Sequence, residues 1–291
     1  MKSGINMALD LLSDNISKTI KELSYINEID EIRLRNQKPI SVCVNGKNVI
    51  LSTIVTEAEI EQTFKKAFSY SLHSYSKELS SGYITTKGGN RVGICGTAVI
   101  PSTDMNSVDT VKYISSINIR ISREVFGCAE DILHYCKLPC GILVIGPPAS
   151  GKTTLLRDLA RITGNSHKVS LIDEQNEISS TYKNMPCCDV GALTDVFVGY
   201  PKHIGVTTAI KVMSPEVLIV DEIGTEADIK ALDYAVNSGA KLITAIHADS
   251  LENALKRQGI KKLIDMGAFE YAVVLSPYQS GNYSYSVKKL G

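Results

Sequence analysis

One stretch of the 291-residue chain carries recognisable chemistry by itself: Gly146-Pro147-Pro148-Ala149-Ser150-Gly151-Lys152-Thr153. It fits the spacing GxxxxGK[ST] without a gap. The apolar run GILVI precedes it, and KTTLLRDLAR, with helical spacing, follows it. Strand, glycine-bearing turn and helix in that order make a cradle for phosphate. The glycines let main-chain N–H groups curl around phosphate oxygens, and the helix N-terminus adds the positive end of its dipole. In such a cradle Lys152 reaches the β- and γ-phosphates and the Thr153 hydroxyl is a ligand for Mg²⁺. The expected nucleotide-binding set is therefore Gly146, Pro147, Pro148, Ala149, Ser150, Gly151, Lys152, Thr153 and Thr154. The plainer alternative is a glycine-rich strand-to-helix turn with no ligand. It leaves the coincidence of motif, strand and helix unexplained.

Three further groups fall at the ends of apolar runs. VLIVDEIG ends in Asp221-Glu222. Asp221 is placed to hold Mg²⁺, directly or through water, and Glu222 to polarise an attacking water. IDEQNEI brings Asp173, Glu174 and Glu177 together after the run KVSLI, where they could position water or metal. His247 follows KLITAI and could sense a γ-phosphate from a strand's carboxyl end. The bland counterparts are a solvated acidic pair, an acidic turn that caps a helix, and a lone buried histidine.

The elements that must hold these groups can be read from the same stretch. GILVI, KVSLID, EVLIVD and KLITAI are short, β-branched and nearly continuous in apolar character. Strands buried on both faces of a parallel sheet have this composition. Residues 138–291 are expected to form an α/β layered domain of that kind. Residues 1–137 read as a smaller α+β domain. A helix is expected over 5–26, a strand over 29–35, and a hairpin turning at Asn45-Gly46. A helix over 57–70 follows, then a hairpin turning at Gly88-Gly89-Asn90, then the alternating strand YISSINIRIS. A helical connection over 128–136 leads into the second domain. At roughly 150 residues per domain, the length also gives about two.

Composition narrows the partners. Hydrophobic residues make up 44% and charged residues 21%, which excludes a disordered or collagen-like chain. Lys and Arg total 31 against 31 Asp and Glu, so the bulk basic footprint of a nucleic-acid binder is missing. The runs Lys256-Arg257 and Lys261-Lys262 read as a solvated helix face. No apolar run approaches the roughly 18 residues that cross a bilayer. Two Asp residues interrupt the N-terminal segment that a signal peptide would keep apolar. Seven cysteines, odd in number and irregularly spaced, form no disulfide framework and fit a reducing cytoplasm. Cys128, His134, Cys136 and Cys140 could be drawn as a zinc site, but without a paired CxxC they read as small buried thiols.

Taken together, these blocks resemble the stage III sporulation protein AA family, ATPases related to the type II and type IV secretion ATPases. The resemblance covers roughly residues 29–276 and rests on EIRLR, GYITTKGGNRVGICG, SSINIRISREVFG, PPASGKTTLLRDLAR, IDEQNEI, VGALTDV, PKHIGV, MSPEVLIVDEIG and TAIHADSLENALKR. It implies a RecA-like P-loop NTPase core behind the α+β domain, using ATP and Mg²⁺. It implies a hexameric ring, with ATP held between the two domains and against the neighbouring subunit. The implied work is assembly of, or transport through, a channel joining mother cell and forespore, at the cytoplasmic face of an inner-membrane complex. Asp173, Glu174, Glu177 and His247 match active-site positions of that group.

The chain departs from the family pattern at three arginines. Gln175, Lys211 and Tyr271 stand in their places. Lysine keeps the charge of arginine but not its two-pronged geometry, and an arginine finger is worth about 10³–10⁵ in rate. Arg91, Arg120 and Arg123 then become the candidates for reaching a phosphate in trans, with exposed strand charges as the alternative. Two other functions share the same core: a nucleotide-gated scaffold without turnover, and a nucleic-acid translocase, which the neutral charge disfavours.

Overall fold

The computed structural model describes residues 4–68, 82–100, 108, 110–276 and 284–290. The last two residues of the helix expected over 57–70 lie outside the described residues. The chain divides into two units: Met1–Arg123 with Ser180–Cys187, and Glu124–Ser179 with Cys188–Gly291.

The first unit contains α1 (Gly4–Leu11), α2 (Asp14–Lys21), β1 (Ile29–Arg35), β2 (Pro39–Val44), β3 (Lys47–Ile54), α3 (Glu57–Ala67), β4 (Tyr83–Thr85), β5 (Arg91–Val99) and β6 (Thr110–Arg120). The single helix expected over 5–26 is thus two. Ser13 is extended and its side chain accepts a hydrogen bond from the Ile16 N–H, so it ends one helix and caps the next. The strands form an antiparallel sheet in the order β3-β2-β1-β6-β5-β4. Asn45 and Gly46 both have positive φ, the conformation a tight two-residue hairpin demands. Alternation along β1 sends Ile32 and Leu34 into the core with Leu9, Ile16 and Ile60. The opposite face is polar, and there Arg91, Arg120 and Glu31 stand in one row across β5, β6 and β1.

The second unit contains α4 (Glu130–Leu133), β7 (Ile142–Gly146), α5 (Lys152–Thr163), β8 (Val169–Asp173), β9 (Thr194–Val198), α6 (Lys202–Val212), β10 (Val217–Val220), α7 (Glu226–Asn237), β11 (Lys241–His247), α8 (Leu251–Leu255), α9 (Gln258–Asp265), β12 (Tyr271–Leu275) and β13 (Tyr285–Lys289). The helical connection expected over 128–136 shrinks to α4, because Cys136 and Cys140 are drawn into the core and Pro139 turns its predecessor away from helix. The sheet order is β13-β12-β7-β11-β10-β8-β9, parallel throughout except for β13. Every residue of β7 and β8 is buried. Ile142 and Val144 pack with Leu155 and Leu159 of α5 on one face. Leu143 and Ile145 pack with α6–α9 on the other, among them Val206 and Leu232. This two-sided burial accounts for the unbroken apolar runs.

Candidate active site

The carboxyl ends of β7, β11, β10 and β8 lie side by side, and the sequence puts a chemically active group at each. At the end of β7 the chain turns through residues 147–151 into α5. A Cβ at Gly146 would come 2.4 Å from Ser150 Oγ, so the turn closes tightly only with glycine there. Gly151, the N-cap residue just before α5, has φ of 92°, which favours glycine. Inside the loop, Ser150 Oγ is buried with no hydrogen-bond partner among the described residues. An unmet buried hydroxyl costs about 1–3 kcal/mol, and an anion's oxygens in the loop would supply its partner. The cradle therefore fits a phosphate group. Thr153 and Thr154 are half-buried on the first turn of α5.

Lys152 is buried and turned back into the loop. Its ammonium donates to the carbonyls of Gly146 (2.9 Å) and Pro147 (2.7 Å), and to His247 Nδ1 (2.9 Å). Burial pushes the amine pKa down, and the Glu222 carboxylate opposes that shift. An ammonium can only donate, so His247 Nδ1 accepts and the ring proton sits on Nε2. Nε2 lies 3.2 Å from Glu222 Oε2. The result is a chain Lys152–His247–Glu222 that runs from the phosphate loop to the acidic pair. Topology explains it: β11 lies between β7 and β10, with His247 in register with Gly146. The Arg257 guanidinium donates to the His247 carbonyl at 2.7 Å and fixes that strand end.

Asp221 stands two strands from β7, roughly 10 Å across the sheet. Burial pushes its carboxyl pKa up to about 6, against the opposing pull of Lys202. Lys202, the first residue of α6, places Nζ 2.9 Å from Glu174 Oε2 and 3.5 Å from Asp221 Oδ1. Burial would lower the Lys202 pKa, but Glu174 and Asp221 reverse the effect and raise it. The sequence alone does not single out Lys202. The available signal was a lysine opening a helix, where the dipole disfavours positive charge.

The acidic cluster after β8 divides by role. Glu174 joins Asp221 through Lys202. Asp173 is turned into the protein. Its fully buried carboxylate accepts from the N–H groups of Glu177 (2.8 Å), Ile178 (3.3 Å) and Ser179 (2.8 Å), and from Ser179 Oγ (2.7 Å). The possibility that it positions water or metal gives way to a structural one: it folds the turn. Arg157 of α5 clasps the same turn through the carbonyls of Ile178 and Glu177, both at 2.6 Å, and the Glu177 residue itself is exposed.

The remaining arginine-related positions lie elsewhere. Arg120 and Arg123 belong to the first unit, where Arg123 pairs with Asp30 at 3.5 Å and Arg91 lies over the Tyr83 ring. Gln175 sits in the exposed turn after β8. Lys211 is in the last turn of α6, roughly 14 Å along the helix from Lys202. Tyr271 opens β12 in register with Ile142, the first residue of β7. Lys211 and Tyr271 thus mark the amino edge of the sheet, opposite the phosphate loop.

A model of the family described as sporulation stage III, protein AA matches residues 4–283. The chain belongs to this family. The stage III sporulation protein AA of Bacillus subtilis (strain 168) is 35% identical over 282 residues, covering 94% of this chain and 91% of that one. Among solved structures, the pilus retraction motor PilT with bound ADP aligns with a TM-score of 0.63 at 15% identity, over 94% of this chain and 81% of that one. The Legionella pneumophila ATPase DotB aligns with a TM-score of 0.61 at 16% identity, over 94% and 80%. The family member described here therefore has the expected RecA-like α/β core with a mainly parallel sheet, together with a separate antiparallel sheet in its N-terminal part.

Proposed function

We propose that the chain is a Mg²⁺-dependent ATP hydrolase. The observation that carries this reading is the line of contacts from Lys152 through His247 to Glu222, set at the mouth of a glycine-tight phosphate loop. Lys152 exchanges His247 for β- and γ-phosphate oxygens when nucleotide enters. Main-chain N–H groups of residues 149–152 and the start of α5 bind the same oxygens. Thr153 and Asp221 would hold Mg²⁺, which supplies positive charge against the phosphate oxygens. Glu222 orients the attacking water and takes its proton. His247, released from Lys152, is left beside Glu222 and reports whether a γ-phosphate is present. Glu174 keeps Lys202 in place, and Glu177 stays available at the rim.

PilT and DotB are described as a motor and an ATPase, and the family name refers to sporulation. By analogy, turnover here moves the N-terminal domain within a homo-hexameric ring. The ring works at the cytoplasmic face of an inner-membrane channel or secretion complex, where it powers assembly or transport between mother cell and forespore. No helix among the described residues is long and apolar enough to cross a membrane. Arg120 and Arg123 are the residues proposed to reach a neighbouring subunit's phosphate.

The test is steady-state phosphate release by pure protein with ATP and Mg²⁺. Lys152→Ala should abolish it, and Glu222→Gln should lower it by about 10²–10⁴. Full turnover by either variant would refute the assignment. A wild-type rate no higher than that of Glu222→Gln would leave a nucleotide-gated scaffold.

A further inference from the structure

Lys202 stands where the reading above puts the metal end of the site. Its side chain is 15% exposed and that of Asp221 is 14% exposed. It touches carboxylates from two neighbouring parallel strands, Glu174 after β8 and Asp221 after β10. Nothing local explains a lysine there. It follows Pro201, opens α6 with no side-chain cap, and sets a cation against the positive end of the helix dipole. The two carboxylates are what hold it. Without Lys202 they would be two half-buried negative charges facing one space, an arrangement that attracts a divalent cation. An ammonium has no lone pair to offer a metal and repels it.

We infer that Lys202 is an internal counter-ion that keeps the Asp221–Glu174 end of the site closed to free divalent cations, so that metal enters only with nucleotide. The inference rests on the nucleotide reading for its second half. The phosphates bring their own negative charge, which would outweigh the repulsion from one ammonium, and Asp221 and Thr153 would then hold the cation. Lys202 then keeps Glu174, its shorter partner, and yields Asp221, the longer one. Lys202 is accordingly a positioning residue, acting through the two carboxylates.

The experiment is an electron paramagnetic resonance titration of the nucleotide-free full chain with Mn²⁺. Lys202→Met is expected to bind Mn²⁺ at least about tenfold more tightly than wild type, the shift expected when an adjacent cation is removed from two carboxylates. Lys202→Arg, which keeps the charge, should stay as weak as wild type. Lys202→Met should also melt lower than wild type in chelator and recover with Mn²⁺, which a merely structural lysine would not produce. Lys202→Gln carries the same expectation if methionine unfolds the chain. Unchanged Mn²⁺ affinity in a folded Lys202→Met or Lys202→Gln protein overturns the inference. Binding of fluorescent ADP to wild type is measured in parallel. Tight Mn²⁺ binding by Lys202→Met with no ADP binding by wild type would support the counter-ion and sink the nucleotide reading. ADP binding by wild type with unchanged Mn²⁺ affinity in the variants would do the reverse.

Discussion

Replacing Asp173 by alanine removes the shared acceptor of four donors at once. The N–H groups of Ile178 and Ser179 are buried, while the Ser179 hydroxyl keeps Asn176 Oδ1 at 3.3 Å as a second acceptor. Each buried donor left unmet costs about 1–3 kcal/mol, and neighbouring losses do not simply add. A fall in unfolding free energy of about 3–5 kcal/mol is expected, at the upper end for a single substitution. For a unit of this size that corresponds to a drop in Tm on the order of 10 °C. The turn is also where Arg157 anchors α5, so the loss should spread into the helix that begins at the phosphate loop. Asp173→Asn keeps one acceptor and should lose about half as much. Urea unfolding followed by circular dichroism reads the change directly, as a shift in midpoint at constant slope. A loss below about 1 kcal/mol, accompanied by lost nucleotide affinity, would refute the reasoning. Asp173 would then be a ligand-facing group after all.

Two other outcomes follow from the geometry. His247→Ala removes the competitor for the Lys152 ammonium, so ATP affinity should hold or rise while phosphate release falls by about 10²; weakened binding with unchanged turnover would contradict the proposed role. Asp221 has its carboxyl pKa raised by burial from 3.8 to about 6, so the folded state holds that proton more tightly than the unfolded chain. Stability of the ligand-free protein should therefore decline as pH rises from about 4 to about 6, by an amount on the order of 2–3 kcal/mol attributable to this group. Asp221→Asn should lack that component. Urea midpoints for the two proteins at pH 4.5 and pH 7 give the comparison, and parallel behaviour would mean that Asp221 ionises without penalty.

The strand, tight loop and helix of residues 142–163 could be read from sequence because the parts are contiguous, and the backbone geometry at Gly146 and Gly151 leaves few other residues possible. The central strands were equally plain, since burial on both faces writes itself as an apolar run. Edge strands are different. β9 and β13 are only partly buried, and their sequences TDVFV and YSVKK carry a weaker pattern. The split between α1 and α2 was masked because Leu11, Leu12 and Ile16 keep helical spacing across the Ser13 cap. Lys202 was hidden for another reason: its partners are 28 and 19 positions away, and only the strand order brings them to one place. The same order shows that Lys211 and Tyr271, two of the three departures from the family's arginines, sit at the edge opposite this chain's own phosphate loop. Their replacement leaves that loop's lysine, glycines and acidic pair untouched.

Equilibrium titration with a fluorescent ATP analogue and Mg²⁺, on wild type and on Lys152→Ala matched for melting temperature, bears on the central claim most directly. Loss of a charge-assisted contact to phosphate, with its buried site left in place, should weaken binding by about 100-fold. Equal affinity in the two proteins would contradict the account, because the ligand would then be bound somewhere other than the Lys152 cradle.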